Sequence, residues 1–189
     1  RAVPTAPIIT IIGFPGSGKT TLAGLFNKPI FIQAEKASTV FENTPIEQQP
    51  VFMPMIPAPD KARAVSSRAI VREQLLELAT AEHDFKTVII DSITSLNDLY
   101  EKEVVAFDAA GADSIGNAAG GYHKGYDVVA GYHADLIRMA AHLTKKGIAV
   151  VFIAHVGVAK IKSSPDEAAE YTVWSVGMHE KSRSLYIKH

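Results

Sequence analysis

Residues Gly13-Phe14-Pro15-Gly16-Ser17-Gly18-Lys19-Thr20 fit the spacing G-x-x-x-x-G-K-[ST]. Glycines at those positions let successive backbone N–H groups turn inward around a phosphate. In such a loop Lys19 reaches the β- and γ-phosphates, and the Thr20 hydroxyl ligates Mg²⁺. Gly13, Pro15, Gly16, Ser17, Gly18, Lys19, Thr20 and Thr21 are therefore the candidate nucleotide-binding residues. The flanks suit the motif: Ile8-Ile9-Thr10-Ile11-Ile12 precedes it as a strand, and Thr20 to Phe26 follows with a short helical pattern. The N-terminus of that helix adds a dipole that favours an anion.

Three further polar residues close apolar runs. Thr87-Val88-Ile89-Ile90-Asp91 ends in an acid, the place from which phosphate-loop enzymes support Mg²⁺ beside the loop threonine. The same Asp91 also suits the N-cap of a following helix. Phe31-Ile32-Gln33-Ala34-Glu35 sets a glutamate just past a strand, where it can polarise a water for in-line attack on a γ-phosphate. Spacing alone allows Glu35 equally to be a solvated surface carboxylate. Val150-Val151-Phe152-Ile153-Ala154-His155 ends in a histidine that can either sense the γ-phosphate or sit in the core against the backbone.

The elements that must position these groups alternate between apolar runs and amphipathic stretches, which predicts βαβ units and a mainly parallel sheet in an α/β fold. Ile30–Gln33 is a second strand, and the Pro-rich stretch 45–59 is an irregular loop with a short strand at 51–53. Helices are expected at 61–82, 96–107 and 126–146, the last closed by Lys145-Lys146-Gly147. Residues 108–121, rich in Gly, Ala, Ser and Asn, read as a mobile loop. Residues 148–154 form the next strand. Val156–Ile161 and Tyr171–Val176 read as a hairpin around a polar turn at Ser163-Ser164-Pro165.

The chain has 189 residues, enough for one such core and few for two. It ends in mid-pattern at Leu185-Tyr186-Ile187-Lys188-His189 and reads as one domain cut short at its C-terminus. It contains no cysteine, which removes disulfides and thiolate metal sites and fits a reducing cytosol. No apolar stretch is long enough for a membrane span, so no membrane partner is expected. The seven histidines form no H-E-x-x-H pattern, leaving Mg²⁺ as the expected metal. A net charge of −1 argues against a monomer that coats nucleic acid.

Taken together, the strands resemble those of RecA-type recombinases. Phe31-Ile32-Gln33-Ala34-Glu35-Lys36-Ala37 resembles the strand that ends in their catalytic glutamate. Val88-Ile89-Ile90-Asp91-Ser92-Ile93-Thr94-Ser95-Leu96 resembles their Walker B strand, and Phe152-Ile153-Ala154-His155 resembles the strand that couples nucleotide state to DNA. The likeness runs from about Ile8 to Ile161 and is strongest to minimal RecA-core ATPases of phages, described as AAA or nucleotide-binding proteins. It implies an ATPase with ATP and Mg²⁺ as cofactors, acting on single-stranded DNA in recombination or annealing beside a single-stranded-DNA-binding protein. It also implies a ring or filament of identical subunits in a bacterial host cytoplasm.

The roles carried across are phosphate binding for Lys19 and Thr20, Mg²⁺ support for Asp91, general base for Glu35 and switch for His155. DNA would meet Tyr122, His123 and Lys124 in one loop, and Lys160 and Lys162 after His155. Lys181 and Arg183 are candidates for a finger reaching a neighbouring subunit's γ-phosphate. The chain departs from the recombinase pattern at Gln33, where Asp is frequent, and in a 108–121 segment that carries no basic residue.

Two other readings fit the phosphate loop. A small-molecule kinase is one, although its arginine-rich lid has no counterpart among six scattered arginines. A recruitment module that holds nucleotide without turnover is the other.

Overall fold

The computed structural model describes residues 5–162 and 170–187. Its centre is the sheet expected from the apolar runs. Strands β1 (Ile8–Gly13), β2 (Pro29–Gln33), β3 (Val51–Phe52), β4 (Thr87–Asp91) and β5 (Ala149–Lys162) lie in the order β1-β5-β4-β2-β3, with every neighbouring pair parallel. Every residue of β4 is buried, as a central parallel strand covered on both faces requires. Strand β6 (Glu170–Val176) pairs antiparallel with the outer half of β5, from Val156↔Val176 to Lys162↔Glu170. That pairing is the expected hairpin, and its Ser163–Pro165 turn lies outside the described residues.

The helices are α1 (Lys19–Gly24), α2 (Ser67–Thr80), α3 (Ile93–Ala106), α4 (Lys124–Lys145) and α5 (Glu180–Arg183). Period-two alternation splits the core. Ile32, Ile90 and Phe152 face Leu75, Leu96 and Leu136 of the long helices, while Phe31, Ile89 and Ile153 join Ala23 and Phe41 in a smaller cluster on the α1 side. This is the architecture of a RecA-like P-loop NTPase core. No described helix is long and apolar enough to cross a membrane.

Several boundaries differ from the sequence expectation, each for a local reason. The helix expected over 61–82 begins only at Ser67, because residues 60–65 close on themselves through an Asp60↔Val65 bridge, with Ala64 at φ 54°. Ser66 then caps α2 by accepting from Ala69 N. The strand expected to end at Ala154 continues to Lys162 because β6 satisfies its backbone. The 108–121 segment is tied down by the Asp108 carboxylate, which accepts from the backbone N–H groups of Ala110, Ala112 and Ala119. Helix α4 ends as the Lys-Lys-Gly signal predicts: Gly147 N donates to Thr144 O and Ile148 N to Leu143 O, the double closure of a Schellman turn.

Two buried polar groups lock the helical layer. Glu103 of α3 accepts from Ser66 Oγ at 2.6 Å and from Arg68 N at 2.9 Å, satisfying the start of α2. His133 of α4 is a core histidine, with Nδ1 2.8 Å from Tyr186 Oη and Nε2 3.2 Å from Asn97 Oδ1. Burial pushes its pKa down to about 3, so the ring is neutral. Replacing Glu103 by Ala strands the Arg68 N–H and loosens α2. The expected loss is about 1–3 kcal/mol of unfolding free energy, read by urea denaturation.

Candidate active site

Parallel register brings the polar strand ends to one edge of the sheet. Gly13 lies opposite His155, Gln33 opposite Asp91, and Asp91 opposite Ile153. In open parallel sheets this carboxyl edge is where ligands bind. The phosphate loop curls over it with Gly16 at φ 74° and Gly18 at φ 81°, conformations that side-chain-bearing residues rarely adopt. Lys19, 7% exposed, folds back onto its own loop, with Nζ donating to Gly13 O at 3.0 Å and Phe14 O at 2.7 Å. Burial lowers the pKa of its ammonium, against the opposing charges of Asp91 and Glu35.

Lys19, Thr20, Glu35, Asp91 and His155 come together from across the chain. Thr20 Oγ1 donates to Asp91 Oδ2 at 2.7 Å. Asp91 does not cap the following helix. Ser92 does, accepting from Ser95 N at 3.1 Å, which leaves Asp91 to the site. The Asp91 carbonyl accepts from Ala34 N and Glu35 N, so the chain leaving β2 is hooked onto the end of β4. Glu35 is held on both carboxylate oxygens: Ser95 Oγ donates to Oε2 at 2.7 Å, and His155 Nε2 lies 2.9 Å from Oε1. Glu35 is thus not a freely solvated side chain, and His155 bonds a carboxylate rather than backbone through its ring. Burial works against the charged form of Glu35, but the bonds from Ser95 and His155 outweigh it and hold its pKa below the ordinary range.

Ser95 is the residue the sequence reading missed. Its only signal was the hydroxyl-rich run Ser92-Ile93-Thr94-Ser95 after the acid. Ser92 Oγ lies 2.9 Å from both Thr94 Oγ1 and Ser95 Oγ, and Thr94 Oγ1 accepts from His155 N at 3.3 Å. One hydroxyl cluster therefore touches the α3 cap, Glu35 and the β5 backbone. Gln33, the departure from the recombinase pattern, points elsewhere: its amide donates to Met53 O and fastens the segment after β3.

Comparison with known families matches residues 5–188 to the AAA domain. The chain belongs to the AAA domain family. No curated protein is similar enough to match it. As an AAA-domain P-loop NTPase it has the ATP-binding and ATP-hydrolysing capacity typical of that fold.

AAA and P-loop NTPase domains generally bind ATP with Mg²⁺, and the residues of this AAA domain fit the ion. Asp91 is 1% exposed, and its Oδ1 is buried without a hydrogen-bond partner, a place for a cation or its water. The Thr20 hydroxyl stands at the other oxygen. The described residues hold no cluster of three or more His, Cys, Asp or Glu able to bind a metal. Mg²⁺ needs none, because it is bound through one or two carboxylates, waters and substrate phosphates.

The other expected residues fall further along the AAA domain. Tyr122 is 92% exposed, and both it and His123 have positive φ just ahead of α4, which begins at Lys124. His123 and Tyr126 stack at 5.9 Å, and Tyr126 stacks on His179 at 3.9 Å and 14°. Lys160 and Lys162 lie on the backbone of β5, within the hairpin and not in a loop, and their side chains are outside the described ones. Lys181 and Arg183 lie on α5, where Lys181 Nζ pairs with Asp127 Oδ1 at 2.6 Å. Trp174 of β6 packs edge-on against Phe14 of the phosphate loop at 5.2 Å, a contact the sequence did not signal.

Burial, together with the charge of Glu35, outweighs the Thr20 bond and pushes the Asp91 pKa up to about 6. A raised carboxyl pKa favours the folded state below the ordinary value near 3.8, and that contribution is lost as pH rises through about 6. Asp91→Asn removes the buried charge. In the absence of Mg²⁺ and nucleotide, its melting temperature should exceed that of the native chain by a margin that widens between pH 4 and 7. The free-energy gain at pH 7 is up to about 3 kcal/mol. A margin independent of pH would contradict a buried, ionising Asp91.

Proposed function

We propose that this chain is a DNA-stimulated ATPase that works on single-stranded DNA as a ring or filament, in phage-type recombination or annealing. The observation that carries the reading is Glu35, tied through its backbone N–H to Asp91, which accepts from Thr20, and bonded through its carboxylate to His155. When bound, Mg²⁺ held by Thr20 and Asp91 would neutralise charge on the transferred phosphoryl group. Glu35 is the general base. It takes a proton from a water whose oxygen bonds to the γ-phosphorus as the bond to the ADP oxygen breaks. The Ser95 and His155 bonds orient it without exhausting it, since an ionised carboxylate offers about four lone-pair positions. A lowered pKa keeps it ionised at neutral pH. Lys19 leaves its loop carbonyls for the β- and γ-phosphates.

His155 is the switch. It reads the position of Glu35 through its ring, and its carbonyl accepts from Gly177 N at the root of the hairpin. A move of Glu35 toward the γ-phosphate thereby reaches the β5–β6 hairpin. Tyr122, His123 and Lys124 supply a stacking surface and a cation for bases and phosphates, with Lys160 and Lys162 adding charge along the hairpin. Assembly multiplies these small patches around an axis, which reconciles DNA binding with a net charge of −1. The Lys181–Asp127 pair is exposed, and such pairs are worth about 0–1 kcal/mol, so Lys181 is available for a neighbour's γ-phosphate. Arg183 lies on the same short helix. A single-stranded-DNA-binding protein is the expected partner.

ATP hydrolysis should rise on adding single-stranded DNA. Glu35→Gln should cut turnover by about 10²–10⁴-fold while nucleotide still binds, and Lys19→Ala should lose both. Turnover indifferent to DNA and to Glu35 would sink the reading in favour of a recruitment module, and phosphoryl transfer to a nucleoside in favour of a kinase. Ser95→Ala removes a bond that lowers the Glu35 pKa. The acid limb of the kcat–pH profile should then move to higher pH, with KM for ATP little changed.

A further inference from the structure

A second concavity lies among the long helices, and no residue of the phosphate loop lines it. It runs between α2 and α4, over Tyr100 of α3, and encloses about 540 Å³, within the range of peptide and small-ligand pockets. Its floor is apolar: Val71, Leu75 and Leu136 are buried, and Ala79 and Met139 also line it. Leu76 stands at the rim, 54% exposed.

The rim is basic. Arg68, Arg72 and Arg138 line the groove, half of the six arginines in a chain whose net charge is −1. Asp135 is the only carboxylate among the lining residues. It is shared: Arg68 Nη2 lies 2.7 Å from one oxygen, and Arg138 bonds the other. The Arg68 guanidinium also lies 4.4 Å above the Tyr132 ring, which holds the planar fork open across the groove. Arg72, one turn along α2 from Arg68, makes no ion pair among the described residues. Three guanidiniums against one carboxylate leave an excess of positive charge over a greasy floor.

We infer that the α2–α4 groove is a docking site for a short acidic peptide segment of a partner protein that carries large apolar side chains. The carboxylates meet Arg72 and Arg138, and the apolar side chains enter between Leu76 and Met139, where the thioether adapts its shape. Charge complementarity selects this occupant. A nucleic acid would satisfy the guanidiniums but leave the apolar floor uncovered, and an uncharged apolar segment would leave Arg72 without a partner. The groove is separate from the Glu35 site, so the inference does not depend on the hydrolytic mechanism.

The test is fluorescence anisotropy of the full chain against a fluorescein-labelled octapeptide of four aspartates followed by leucine, glycine, leucine and phenylalanine. Saturable binding that weakens with salt is expected. Arg72→Glu and Arg138→Glu should each weaken it about tenfold, and Leu76→Ser should weaken it without changing its salt dependence. These residues are exposed and outside the nucleotide site, so ATP binding by each variant reports that it is folded. A peptide with its apolar half replaced by serine and glycine should not bind. The inference is overturned if the octapeptide does not saturate, if all three variants bind it as the native chain does, or if the serine–glycine peptide binds equally well. It is also overturned if oligothymidylate binding shows the same tenfold dependence on Arg72 and Arg138, because the groove is then a nucleic-acid surface.

Discussion

Asp91 ends a strand buried on both faces, and its carboxylate is itself almost completely buried. An ionised carboxylate there is costly unless something positive or strongly donating shares the space. Much of the site is organised around that constraint. Thr20 donates to one carboxylate oxygen from the start of α1. The backbone carbonyl of Asp91 accepts from Ala34 N and Glu35 N, so the path of the chain after β2 is set by the end of β4. Strand β5 lies next to β4 in register, which fixes how far His155 stands beyond the acid. Displacing the end of β4 would therefore misplace groups from three other elements.

The same atoms serve folding and the site. Ser92 caps α3 and contacts the hydroxyls of Thr94 and Ser95, and Ser95 in turn holds Glu35. A helix start needs its N–H groups satisfied whatever the protein does. Here the side chain that meets this need also positions the carboxylate proposed as the base. The aromatic contact of Trp174 with Phe14 adds a link of another kind, joining the hairpin to the phosphate loop through exposed rings.

Local features were legible in the sequence and long-range ones were not. The phosphate loop is contiguous, so its spacing could be read directly, and apolar runs marked the strands and the mainly parallel character of the sheet, while their order came only from the fold. Asp91 read as a possible helix cap because aspartate caps helices, and only the fold shows that Ser92 takes that place by accepting from Ser95 N. The partners of Glu35 lie 60 and 120 residues away in Ser95 and His155, a distance no periodicity encodes. Apolar spacing overextended α2, because Val65 satisfies the helical period while its backbone bridges Asp60. Arg68 and Arg72 are visible as neighbours on one helix, but Arg138 joins them only through the packing of α4.

Strand β5 is one unbroken run from Ala149 to Lys162. Its first half is clamped between β1 and β4, and its second half extends past them, paired among the described residues with β6 alone. If His155 acts as the proposed switch, this geometry makes the strand a lever with its fulcrum at His155. The arm from His155 to Lys162 is about 23 Å at strand rise, so a tilt of about 5° at the fulcrum carries the far end about 2 Å. In the proposed switch, a hydrogen bond made or broken beside the phosphate loop would be converted into a displacement on the scale of an atom's diameter. No helix has to slide and no domain has to turn.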